Sequence, residues 1–96
     1  MTNQVQKLIA AVLEKGWTIS VNDGEEWALK HSNDAKAIYN ESRATDECIF
    51  RINSLEGAWV VGTVYIIWEN TGEEICDYSS TEVMNALIEP LLGEDA

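Results

Sequence analysis

The sequence predicts an α+β fold: one domain built on an antiparallel sheet of about five strands with three helices, in the order α-β-β-α-β-β-β-α. Three observations carry that expectation. Apolar residues recur at helical spacing in some segments and at every second position in others, with no strand–helix repeat and no GxGxxG, which argues against a doubly wound parallel sheet. Asn22-Asp23-Gly24 and Asn70-Thr71-Gly72 supply hairpin turns, where glycine accepts positive φ. The longest apolar run, Ala58 to Trp68, is apolar on both faces, with Ala58, Val60, Gly62, Val64, Ile66 and Trp68 on one and Trp59, Val61, Thr63, Tyr65 and Ile67 on the other. Successive side chains of a strand point to opposite faces, so this run is expected to be the central strand, covered on both sides.

The elements follow in chain order. Val5, Leu8, Ile9, Val12 and Leu13 share one helical face, which predicts a helix over about residues 3 to 15, with Thr2 or Asn3 as its cap and Gly16 at its C′ position. Trp17, Ile19 and Val21 alternate with polar residues, and Trp27, Leu29 and His31 do so across the turn, giving a hairpin. Ser32, Asn33 and Asp34 offer capping oxygens to a short helix that carries Ala35, Ile38 and Tyr39 on one face and closes at Ala44-Thr45-Asp46. Cys48, Phe50 and Ile52 alternate with Ile49, Arg51 and Asn53 in a third strand. A loop to Gly57 leads into the apolar run, and Glu73 to Tyr78 returns as a more polar strand nearer an edge. Ser79 and Glu82 have capping-box spacing, so the last helix is expected to start there and to bury Val83, Met84, Leu87 and Ile88. Pro90 is expected to stop it, and residues 91 to 96 to fray.

Ninety-six residues fit a single domain, which buries roughly 60–70% of its unfolded surface. No apolar run reaches the length of about 18 residues that a membrane span requires, and the first residues lack the pattern of a signal peptide. The expected location is the cytoplasm. Cys48 and Cys76 fall on different strands without C-x-x-C spacing, and are expected to be free, mostly buried thiols.

Charge is lopsided. Seventeen acidic residues face six basic ones, for a net charge of −11. Up to Arg51 the net is −2, whereas the nine acids beyond it meet no base. Direct binding to nucleic acid or to an anionic membrane is therefore disfavoured.

Three segments share a pattern: ISVNDGEEWALK (Ile19 to Lys30), ATDE (Ala44 to Glu47) and WENTGEEICDYS (Trp68 to Ser79), the last with Asp77-Tyr78 before the final helix. Together they resemble a group of short proteins encoded by tailed phages and prophages. The resemblance spans about residues 19 to 79. It implies a mobile genetic element as the setting, and it brings no activity and no catalytic residue with it.

The residues that chemistry would need are sparse. Asp23, Glu25 and Glu26 lack the ligand register of a calcium loop and read as a solvated turn. His31, the one histidine, has no partner pattern for acid–base work, and no G-x-S-x-G elbow is present. No cofactor or metal is implied, and an enzyme is not expected. Trp17 and Trp59 are expected in the core, and Trp68, beside acids at the end of the apolar run, as an exposed anchor.

The partner-binding surface is expected on the last hairpin, where Glu69, Glu73, Glu74 and Asp77 would gather beside Trp68. Duplex DNA shows about one negative charge per 1.7 Å of axis, a density that clustered carboxylates can imitate. The expected function is thus a non-enzymatic acidic module that binds a basic host protein or nucleoprotein complex. In a phage this would be an inhibitor of a defence complex, of anti-CRISPR or anti-restriction type. The competing reading is a structural or assembly protein that self-associates, as a homodimer, through its sheet.

Overall fold

The computed structural model describes residues 4–54, 59–69, 74–79 and 81–93. Within them the elements are α1 (Gln4–Glu14), β1 (Thr18–Asn22), β2 (Trp27–Ser32), α2 (Ala35–Ser42), β3 (Glu47–Asn53), β4 (Val60–Ile67), β5 (Ile75–Tyr78) and α3 (Glu82–Gly93). The strands form one antiparallel sheet in the order β2-β1-β3-β4-β5, so the expected order of elements and the closing β3-β4-β5 meander are both present.

Local chemistry sets the ends of several elements. Gly16 has φ 84° and closes α1, its N–H donating to the Leu13 carbonyl and that of Trp17 to the Val12 carbonyl, a Schellman arrangement. Asp34 caps α2, its Oδ1 accepting from the N–H groups of Lys36 (3.1 Å) and Ala37 (3.2 Å). Three expectations about α3 fail. Its cap is Thr81, whose Oγ1 accepts from the Met84 N–H, because Ser79 is already used in the sheet: its N–H donates to the Thr63 carbonyl and its Oγ accepts from the Thr63 N–H. Pro90 lies inside the helix and does not stop it. The carbonyl that its missing N–H would have met belongs to exposed Ala86, which water can satisfy, while Leu91 still packs against the core. Val83, expected in the core, is exposed because Met84, Leu87 and Ile88 form the buried stripe.

The larger correction concerns the apolar run. The middle strand of the sheet is β3, and β4 lies between β3 and β5. Nor is β4 covered on both sides: Val64 and Ile66 are fully buried, whereas Val60 and Tyr65 are 50% and 48% exposed. Trp59, expected in the core, is 54% exposed, and Ala58 lies outside the described residues. Register explains the asymmetry. Val64 is opposite Phe50 and Tyr65 opposite Ile49, so the faces of β4 there are those of β3, while an irregularity in the pairing between Ile52 and Asn53 takes Val60 out of the alternation that buries Val64 and Ile66. Ile19, Val21, Cys48, Phe50, Ile52, Val64 and Ile66 meet the buried residues of α1, α2 and α3 in a single cluster, with α1 between the other two helices. The helices cover that face and leave the other open. Where α3 crosses β4, a Cβ on Gly62 would come within 2.6 Å of Met84 Cγ and Sδ, so glycine permits the close approach.

Candidate functional site

The open face is built from residues directly opposite one another in the pairing, which share a side of the sheet. One row runs Trp27, Asn22, Ile49, Tyr65, Asp77 across all five strands. The next holds Ser20, Arg51 and Thr63. The Arg51 guanidinium lies 4.1 Å over the Trp27 ring. Of the large hydrophobic residues exposed among the described residues, Trp59, Val60 and Tyr65 lie on β4 or next to it, and Val83 alone is elsewhere.

Antiparallel order brings the β1–β2 turn, the entry to β3 and the exit from β4 to one end of the sheet. Asp23, Glu25 and Glu26 lie in the turn, Asp46 and Glu47 at the start of β3, and Glu69 just beyond β4. The Trp68 N–H donates to the Asp46 carbonyl at 2.9 Å, tying two of these segments together. The turn is firmly made. Gly24 has φ 107° and donates to Asn22 Oδ1, and Asp23 Oδ1 accepts from the N–H groups of Glu26 and Glu25 at 3.0 and 2.9 Å. Those N–H groups, Glu26's first, hold the Asp23 carboxyl below the usual carboxylate range. Where this end meets the open face there is a groove of about 360 Å³. Ile49, Tyr65 and Ile67 form its apolar part, and Asp23, Asp46 and Glu47 its acidic rim.

The residues expected to bind a partner are only partly brought together. Glu69 is exposed at the acidic end, and Asp77 is exposed on the edge strand opposite Tyr65. Glu73 lies outside the described residues. Glu74 is buried, at 6% exposure, because the β4–β5 ladder continues through it: its carbonyl accepts from the Ile67 N–H. Gln4 of α1 reaches over the same point, its Oε1 accepting from the Ile75 N–H at 3.3 Å.

Trp68 is not an exposed anchor. Its indole N–H donates to the Ser42 carbonyl at 2.6 Å, its ring meets Tyr39 edge-on at 5.9 Å, and the Arg43 guanidinium lies 4.3 Å over it. Its parity with Val64 and Ile66 was the signal that it belongs to the helix side. The groove residues Asp46, Glu47, Ile49 and Ile67 were not singled out from the sequence. Summing charge by chain segment hid them, since five of the eight acids in the nearly balanced first half fold to this one end.

Other reactive groups are quiet. Cys48 is buried, and burial pushes its thiol up to about 12, so it is no nucleophile near neutral pH. Cys76, expected to be mostly buried, is exposed on edge strand β5. His31 is exposed with φ 47°, its backbone N–H donating to Ser20 Oγ. Among the described residues no group of three or more His, Cys, Asp or Glu is placed to hold a metal ion, and no helix is long and apolar enough to cross a membrane. No family model, curated protein or solved structure matches the chain.

Proposed function

We propose that the protein is a non-enzymatic protein-binding module that presents the acidic end of its sheet, and the open face beside it, to a basic partner. The observation that supports this reading is the convergence of Asp23, Glu25, Glu26, Asp46, Glu47 and Glu69 next to a partly apolar sheet face. Arg43, the base nearest them in the chain, lies over the Trp68 ring. Carboxylates from three segments act together here as phosphates do along a nucleic acid. The fitting partner is a host protein or nucleoprotein complex with a basic groove for nucleic acid. In the phage setting that the sequence resemblance implies, the protein is an inhibitor of a defence complex, competing with that nucleic acid.

The test is binding to a candidate nuclease complex at two salt concentrations, with and without nucleic acid. Binding is expected to fall as salt rises, because exposed charges are screened beyond about 8 Å at physiological ionic strength. Each exposed pair contributes about 0.2–1 kcal/mol, so one substitution changes little. Glu25→Gln, Glu26→Gln, Asp46→Asn, Glu47→Gln and Glu69→Gln together are expected to weaken binding by about one to three orders of magnitude. Binding indifferent to salt and to the five substitutions would refute the reading.

A second reading, self-association through the open face, is favoured by the half-exposed Trp59, Val60 and Tyr65. It predicts a dimer in sedimentation that persists at high salt, against the mutual repulsion of two chains of charge −11.

A further inference from the structure

We propose that the groove at the acidic end receives an arginine of the partner, carried on an extended segment with an aliphatic residue beside it. This rests on the reading above and names the chemistry that one part of the surface selects.

The groove asks for two properties at once. Ile49, Tyr65 and Ile67 lie on the open face and give it an apolar part. Asp23, Asp46 and Glu47, from two separate segments, rim it, and among the described residues no base lines it. Its volume of about 360 Å³ is near the lower end of the roughly 300–1,000 Å³ typical of ligand pockets. It therefore suits one or two side chains better than a cofactor. An apolar floor with an anionic rim complements a cation on an apolar stem.

Tyr65 decides between cations. The chain places its own cations over Trp17 (Lys15, 5.6 Å), Trp27 (Arg51, 4.1 Å) and Trp68 (Arg43, 4.3 Å). Among the described residues none lies over Tyr65, which is 48% exposed beside the groove. A guanidinium is planar, weakly hydrated and able to stack on such a ring while its N–H fork meets carboxylates. An ammonium is a compact, strongly hydrated charge and gains less from the same ring.

The experiment is amide chemical-shift mapping by NMR on the intact chain with the peptide acetyl-Gly-Leu-Arg-Leu-Gly-amide. Parallel titrations use the same peptide with citrulline, the neutral isostere, in place of arginine, the peptide with lysine there, and spermidine. Saturable shifts are expected at Gly24, Glu47, Ile49, Tyr65 and Ile67, weakened about tenfold or more by citrulline and less by lysine. Tyr65→Thr, which suits a strand, and Asp46→Asn with Glu47→Gln are each expected to weaken binding while the remaining spectrum reports a folded protein. Shifts centred on the helices, no saturation, equal response to spermidine, or indifference to Tyr65→Thr would overturn the proposal. The same variants separate it from the broader reading. A nuclease complex that binds wild type and Tyr65→Thr equally, in a salt-dependent way, sinks the arginine groove alone. A peptide that binds the groove when no such complex binds the protein sustains the groove and sinks the inhibitor.

Discussion

Replacing Gly62 by Ala probes the packing that decides which face of the sheet is covered. The new Cβ would stand 2.6 Å from both Cγ and Sδ of Met84 and 3.2 Å from its Cε, where ordinary contacts begin at 3.4 Å. Met84 is fully buried beside Ile88, so its side chain must change rotamer in a filled space or α3 must lift from β4. Overpacking of this kind costs about 1–3 kcal/mol, and the flexibility of Met favours the lower half of that range. Ala offsets about 0.4–1 kcal/mol by restricting the unfolded chain. The expected net loss is therefore about 0.5–1.5 kcal/mol, or a fall in Tm of roughly 2–12 °C for a domain of this size.

A double-mutant cycle tests the cause. Met84→Ala alone should cost about 2–5 kcal/mol by opening a cavity. In the double variant the methyl added at position 62 occupies part of that cavity, so the cost should fall short of the sum by about 0.5–2 kcal/mol. Urea unfolding with an unchanged m-value supplies the numbers. Additive effects, with Gly62→Ala neutral, would show that α3 is not seated on β4 at this point. The assignment of the open face would then lose its footing.

Two further outcomes follow from burial. Trp59→Ser should cost at most about 2 kcal/mol, against about 3–5 for a buried Trp, since the ring is more than half exposed and the hydrogen bonds of the residue-59 backbone to the Ser54 N–H and Oγ remain; thermal melting checks this, and a loss near 4 kcal/mol would place the ring in the core. Cys48 has a folded-state pKa raised to about 12, so its contribution to stability is complete below about pH 9 and declines as pH climbs towards 12, with a slope approaching 1.4 kcal/mol per pH unit. Cys48→Val should flatten that alkaline decline, and a thiol reagent at pH near 8 should label Cys76 alone; equal labelling of both thiols in the folded protein would count against the burial of Cys48.

Much of the fold was legible because its local signals agree with its packing. The alternation of Ile19 with Val21, and of Cys48 with Phe50 and Ile52, already named the core face. Asn22-Asp23-Gly24 and Gly16 named a turn and a helix end whose geometry admits few other residues. The apolar run misled because composition is blind to what lies above a strand. Val60 and Tyr65 read as core residues, yet covering both faces of a sheet takes helices on both sides, and all three helices here are joined in one layer. Ser79 misled for a related reason: a hydroxyl that could cap a helix was claimed first by the neighbouring strand.

The candidate site was less legible because charge adds up in space, not along the chain. The second half carries most of the net charge, yet Glu74 is buried in the sheet's edge while Asp77 lies in the middle of a strand. The nearly neutral first half delivers Asp23, Glu25, Glu26, Asp46 and Glu47 to one end, since antiparallel strands return every second loop to the same place. Three of its six bases lie over aromatic rings: Arg51 over Trp27, Arg43 over Trp68, Lys15 over Trp17. Each of these contacts shields an aromatic ring from water. Among the described residues no cation lies over Tyr65, so the acidic rim and that ring together are what the proposed arginine would meet.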